Sequence, residues 1–265
     1  MEIKRKKLVI GNWKMFKDAV QASADFENLS DSVTEKNLSI EVGIAAPSIF
    51  LADLARKTRN TVSLFAQNAH WAEEGAFTGE VSPTMLKSIH VLGSLVAHSE
   101  RRQMFAETNQ TAGGRISALL NLGMRAIYCV GETLVEREKG LLKEILISQL
   151  EQAFIATKIR NSQSFIGSDP NKPLLSIAYE PVWAIGTGKA ASAVEAQEAH
   201  TIIRNFLQSY FGEELGNRFQ ILYGGSVKAS NVNEYINCPN IDGALVGGAS
   251  LVPKDFLELC MKCAN

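Results

Sequence analysis

"LLSIAYE", residues 174–180, decides the fold. The run is apolar almost throughout rather than alternating, so a strand built from it needs cover on both faces, as a parallel strand between helices has. It ends on a carboxylate followed by Pro181, where strand pairing stops. Seven further runs have the same character: "KLVIG" near 7–11, "EVGIAA" near 41–46, "VSLFAQ" near 62–67, "SLVAH" near 94–98, "AIYCVG" near 126–131, "FQILYGG" near 219–225 and "GALVGG" near 243–248. Helical patterns lie between them. One spans 133–158 from Thr133, carrying Leu134, Leu141, Leu142, Ile145, Leu146, Leu150 and Phe154; another spans 192–210, with Ser192 as N-cap. Gly113 and Gly114 weaken the helical reading near 108–121.

Eight strand–helix units in 265 residues come to about 33 residues each, the size of a closed (β/α)₈ barrel, so the expectation is an α/β chain forming a single barrel domain over 1–265. The loop "NSQSFIGSDPNKP", 161–173, reads as surface elaboration. An open doubly wound sheet is the structural rival. It would gather its ligand at one switch point, whereas the unusual polar residues here follow many different strands.

Charge is nearly balanced, with 27 Lys+Arg against 28 Asp+Glu, so no broad basic field exists to concentrate nucleic acid or anionic lipid. A small-molecule partner is expected instead. The basic run Lys4 to Lys7 reads as a solvated flank, and the three apolar residues after it are too few for a signal-peptide core. No segment approaches a membrane span, and the sequons at Asn28, Asn37 and Asn109 read as chance matches, so a cytoplasmic protein is expected. Four cysteines suit a reducing compartment as free thiols; Cys260 and Cys263 form a CxxC with no second metal pair nearby and read as packing or surface residues.

Asn12 and Lys14 follow the first strand, His98 and Glu100 the fourth, and Glu180 the sixth. In a barrel these ends share one rim, where active sites are built. Gly224, Gly225 and Ser226, then Gly247 and Gly248, leave backbone N–H groups free to approach an anion, which points to a phosphate. No P-loop or GxGxxG accompanies them.

The stretches "GNWKM" (11–15), "AQN" (66–68), "GAFTGEVSP" (75–83), "HSERR" (98–102), "CVGE" (129–132), "AYEPVWAIGTGK" (178–189), "YGGSV" (223–227) and "LVGGASL" (245–251) together resemble the triosephosphate isomerase family over nearly the whole chain. The resemblance implies interconversion of dihydroxyacetone phosphate and D-glyceraldehyde 3-phosphate, in glycolysis and gluconeogenesis, without metal or organic cofactor. It implies Glu180 as the base, His98 as a neutral electrophile, Lys14 as positive charge beside the enediolate and Asn12 as a positioning group. Gly186, Ser226, Gly247 and Gly248 would hold the phosphate, with Glu100 and Cys129 in supporting places. Pro181 to Lys189 resembles a lid with hinges near Pro181–Trp183 and Thr187–Lys189, and Thr78 matches a residue that approaches a partner's active site in a homodimer. Ala97 departs from the family, which has glycine before the histidine. Two rival functions stay open at this level, a surface-binding barrel without catalysis and another phosphate-handling barrel isomerase or lyase.

Overall fold

The computed structural model describes residues 5–58, 61–169, 172–185 and 190–264. Eight parallel strands close into a barrel in sequence order: β1 Leu8–Asn12, β2 Glu41–Ala46, β3 Val62–Ala66, β4 Gly93–Val96, β5 Arg125–Val130, β6 Leu175–Tyr179, β7 Gln220–Tyr223 and β8 Gly243–Val246. Closure pairs Leu8 with Gly243 and Gly11 with Val246. The absence of alternation has the expected cause. Leu8, Ile10, Phe65, Leu95, Ile127 and Leu222 fill the barrel interior as one cluster, while neighbours such as Val9, Val42 and Ile44 join the larger cluster between strands and helices. Both faces of each strand are therefore removed from water, which drives the architecture.

Helix boundaries follow local chemistry. Ser192 and Glu195 form a reciprocal capping box at the start of the helix Ala193–Phe211, as the Ser192 cap predicts. The pattern over 133–158 resolves into two helices, Leu134–Glu138 and Leu142–Thr157. The break falls at Gly140, whose φ of 71° lies in the left-handed region. Between 108 and 121 the glycines do not prevent a helix, Asn109–Asn121, capped by Thr108. Gly113 is there because a Cβ would lie 2.4 Å from the Ala153 carbonyl oxygen of the packed helix Leu142–Thr157.

Two surface expectations need correction, the loop and the basic flank. Within 161–173, a 3-10 turn Ser162–Phe165 buries Phe165 among Phe154 and Phe211, with ring centroids 5.7 and 5.0 Å apart, so apolar burial anchors this loop. Arg5 is no free flank: its Nε meets Asp242 at 2.6 Å and its other nitrogens donate to the Asn217 and Pro239 carbonyls. Lys7 Nζ likewise donates to the Cys263 carbonyl at 3.1 Å, because the chain's first strand packs beside its last helix, Pro253–Ala264. Cys260 and Cys263 are both buried on that helix as free thiols, and burial pushes the Cys263 thiol up to about 12. Among the described residues no helix is long and apolar enough to cross a membrane.

Candidate active site

The ends of β1, β4, β6, β7 and β8 open on one cavity of about 750 Å³, lined among others by Asn12, Lys14, His98, Glu180, Ser226, Gly247 and Gly248. Residues far apart in sequence meet there because parallel strands deliver all their C-terminal ends to one rim. Gly186 and the hinge Thr187–Lys189 lie outside the described residues, whereas Ile185 lines the cavity.

Glu180 follows β6 and is 2% exposed. Its Oε2 accepts the Ser99 N–H at 2.9 Å, and its Oε1 lies 3.0 Å from His98 Nε2. Burial by itself would raise the carboxyl pKa. The His98 ring and the Ser99 N–H outweigh burial and hold it below the usual glutamate value. The carboxylate is thus ionised, desolvated and held by the Ser99 N–H and the His98 ring.

His98 caps the short helix Ser99–Met104, and its Nδ1 accepts the Glu100 N–H at 3.3 Å. A backbone N–H cannot act as an acceptor, so Nδ1 supplies its lone pair and the neutral ring carries its hydrogen on Nε2, toward Glu180. Burial is the largest influence and disfavours the charged ring, but the Glu180 carboxylate, joined by Glu100, more than offsets it, leaving the His98 pKa above the ordinary value. That rise depends on Glu180 standing at Nε2. A ligand that drew Glu180 away would leave burial and Lys14, both lowering it, against Glu100 alone, which raises it.

Lys14 projects from the loop after β1 with φ 51° and pairs through Nζ with Glu100 Oε1 at 2.5 Å. The Asn12 amide oxygen accepts the Lys14 N–H at 3.0 Å, and Gln67 Nε2 donates to the Lys14 carbonyl at 2.9 Å. The lysine position is therefore fixed from three strands. Glu100 also approaches His98 Nδ1 at 3.7 Å, so it sits between the two cationic candidates. Cys129 lies inside the barrel, fully buried; burial first and the Glu180 charge second hold its thiol well above the ordinary range, making it a neutral packing group.

Sequence reasoning left three contributors without a role: the Ser99 N–H, Gln67 and Glu132. Backbone donors carry no residue signature, and Gln67 acts on a carbonyl 53 residues away. Glu132 is completely buried and accepts from Tyr179 Oη at 3.1 Å and Trp183 Nε1 at 2.8 Å, which ties the first hinge segment to the end of β6. Thr78 is exposed in a turn after β3 and does not line this cavity.

A family model for triosephosphate isomerase matches residues 7–263. The triosephosphate isomerase of Chlorobium phaeobacteroides is 40% identical over 255 residues, covering 96% of this chain and 98% of the relative. That of Carboxydothermus hydrogenoformans is 42% identical over 256 residues, with the same coverage of both chains. With a match running from the first strand to the last helix and the rim residues gathered in one cavity, the chain belongs to the triosephosphate isomerase family.

Proposed function

We propose that the chain interconverts dihydroxyacetone phosphate and D-glyceraldehyde 3-phosphate, with Glu180 as the base that moves a proton between C1 and C2. The observation that carries this reading is the pair Glu180 Oε1 and His98 Nε2, 3.0 Å apart in the cavity that Lys14, Gly247 and Gly248 share. Substrate displaces the Ser99 and His98 contacts, and the freed carboxylate takes a proton from C1 of the ketose. The His98 Nε2–H meanwhile donates to the C2 oxygen, so negative charge forms on an oxygen already facing a donor. Lys14 adds positive charge beside the enediolate. Return of the proton to C2, with exchange of the oxygen-bound protons through His98, gives the aldose.

Asn12 positions the substrate, Glu100 holds Lys14, and Cys129 packs beneath Glu180. The backbone at Ser226, Gly247 and Gly248 takes the phosphate, with Gly186 of the lid completing it. Lid closure keeps water from the enediolate, which otherwise loses phosphate. The protein acts in the cytosol as a homodimer, with Thr78 reaching the partner. Exposed Met15, Phe16, Phe77 and Met85, around the loops after β1 and β3, support an interface there.

The test is turnover of glyceraldehyde 3-phosphate coupled to reduction of the dihydroxyacetone phosphate formed. Glu180→Gln keeps the fold and lowers kcat by about a thousandfold, the scale of a general base. Undiminished turnover in the folded variant would remove Glu180 from the mechanism.

A further inference from the structure

We propose that Lys17 is a positioning residue for the phosphate end of the substrate, acting through the turn after β8. The proposal rests on the reading that Gly247 and Gly248 hold the phosphate. In sequence Lys17 is one more charge in a loop. In the structure its side chain is 3% exposed and its backbone adopts φ 72°, uncommon for a residue bearing a Cβ.

Three groups surround its ammonium. Asp25 Oδ2, from the helix Ala19–Lys36, lies at 2.5 Å; the Leu251 carbonyl accepts at 2.7 Å; and the Trp13 ring centroid is 4.9 Å away. Leu251 ends the 3-10 turn Gly248–Ser250. The preceding carbonyl, Ser250, accepts from Trp13 Nε1 at 3.2 Å, and Ser250 Oγ donates to the Gly247 carbonyl at 2.7 Å. Two successive carbonyls of the phosphate turn are thus held by the loop that also presents Asn12 and Lys14. A buried ammonium with a carboxylate and a carbonyl as partners is costly to remove, since both partners are then left short.

Backbone donors hold an anion well only where their geometry is fixed in advance. Lys17 supplies that fixation from behind the turn, without reaching the cavity itself. Glu180 and His98 follow β6 and β4, and their hydrogen bonds run to Ser99, Glu100 and each other rather than to this turn. Its loss therefore weakens phosphate binding more than proton transfer.

The experiment measures KM, kcat and competitive inhibition by inorganic phosphate for wild type, Lys17→Met and Asp25→Asn. Lys17→Met is expected to raise both KM and the phosphate inhibition constant about tenfold, with kcat within about threefold. Asp25→Asn moves both constants the same way by a smaller factor. A folded Lys17→Met with unchanged phosphate inhibition overturns the proposal even if it melts earlier; should Lys17→Met fail to fold, unchanged inhibition in Asp25→Asn overturns it. A wild type that turns over but ignores phosphate sinks the phosphate reading itself, whereas an inhibited wild type with both variants unaltered sinks only the role of Lys17.

Discussion

Ala97, at φ 55° and fully buried beside His98, holds a conformation that a side chain resists. The left-handed region costs an alanine about 1–2 kcal/mol. Replacing it by glycine relieves that cost, but adds about 0.4–1 kcal/mol of unfolded-chain entropy and strips a buried methyl worth about 0.8 kcal/mol. The terms nearly cancel, which explains how the chain tolerates its departure from the family. Ala97→Gly should shift the thermal midpoint by less than about 2 °C and leave turnover unchanged; a larger fall would mean that packing of the methyl dominates. The departure was legible in sequence, its backbone strain only in the structure.

His98 and Glu180 titrate as a pair. Glu180, lowered, adds stability above the free carboxylate range that is lost as pH falls through its depressed value; His98, raised, adds stability at low pH that is lost as pH climbs through its elevated value. In Glu180→Gln the largest raising influence on the ring disappears, while burial and Lys14 remain to lower it and only Glu100 to raise it. Imidazole nitrogen NMR should then show the His98 pKa falling relative to wild type. An unmoved titration would mean that Glu180 does not set the charge of the ring.

At the scale of elements, the eight strands were readable because coverage on both faces leaves an unbroken apolar signature. Helix ends were readable where a cap carries a side chain, as at Ser192. Close packing between helices leaves no such mark. Gly113 and Gly114 look alike in sequence, yet a Cβ at Gly113 meets the Ala153 carbonyl oxygen at 2.4 Å, while one at Gly114 meets the Trp71 side chain, its Cβ at 3.3 Å and its Cγ at 3.7 Å. Gly113→Ala should cost about 1–3 kcal/mol from overpacking. Gly114→Ala should cost less, since up to about 1 kcal/mol of helix propensity offsets the few tenths of an ångström that Trp71 must yield. Thermal unfolding of the two variants separates them, and equal midpoints would contradict the packing geometry. The break at Gly140 was similarly hidden, because leucines continue on both sides of it.

For the molecule as a whole, the rim residues were legible by type and place, since each follows its own strand, but their mutual distances were not. What joins His98 to Glu180 and Lys14 to Glu100 is barrel closure, which no local window of sequence encodes. The proposed homodimer belongs to this scale. Sedimentation should give twice the mass of one chain, and Thr78→Arg should shift the equilibrium toward monomer; a wild type that sediments as a monomer at micromolar concentration would exclude it.

The pairing of β1 with β8 also orders events at the ribosome. Leu8 to Gly11 find their second partners only in Gly243 to Val246, near the far end of the chain. At about 5–20 residues per second, translation leaves one edge of the nascent sheet open for roughly 10–50 seconds. Arg5 and Lys7 stand at the start of that edge and acquire Asp242 and the Cys263 carbonyl only when the last segment emerges. Until then their positive charges guard an apolar strand that a neighbouring nascent chain could otherwise add to.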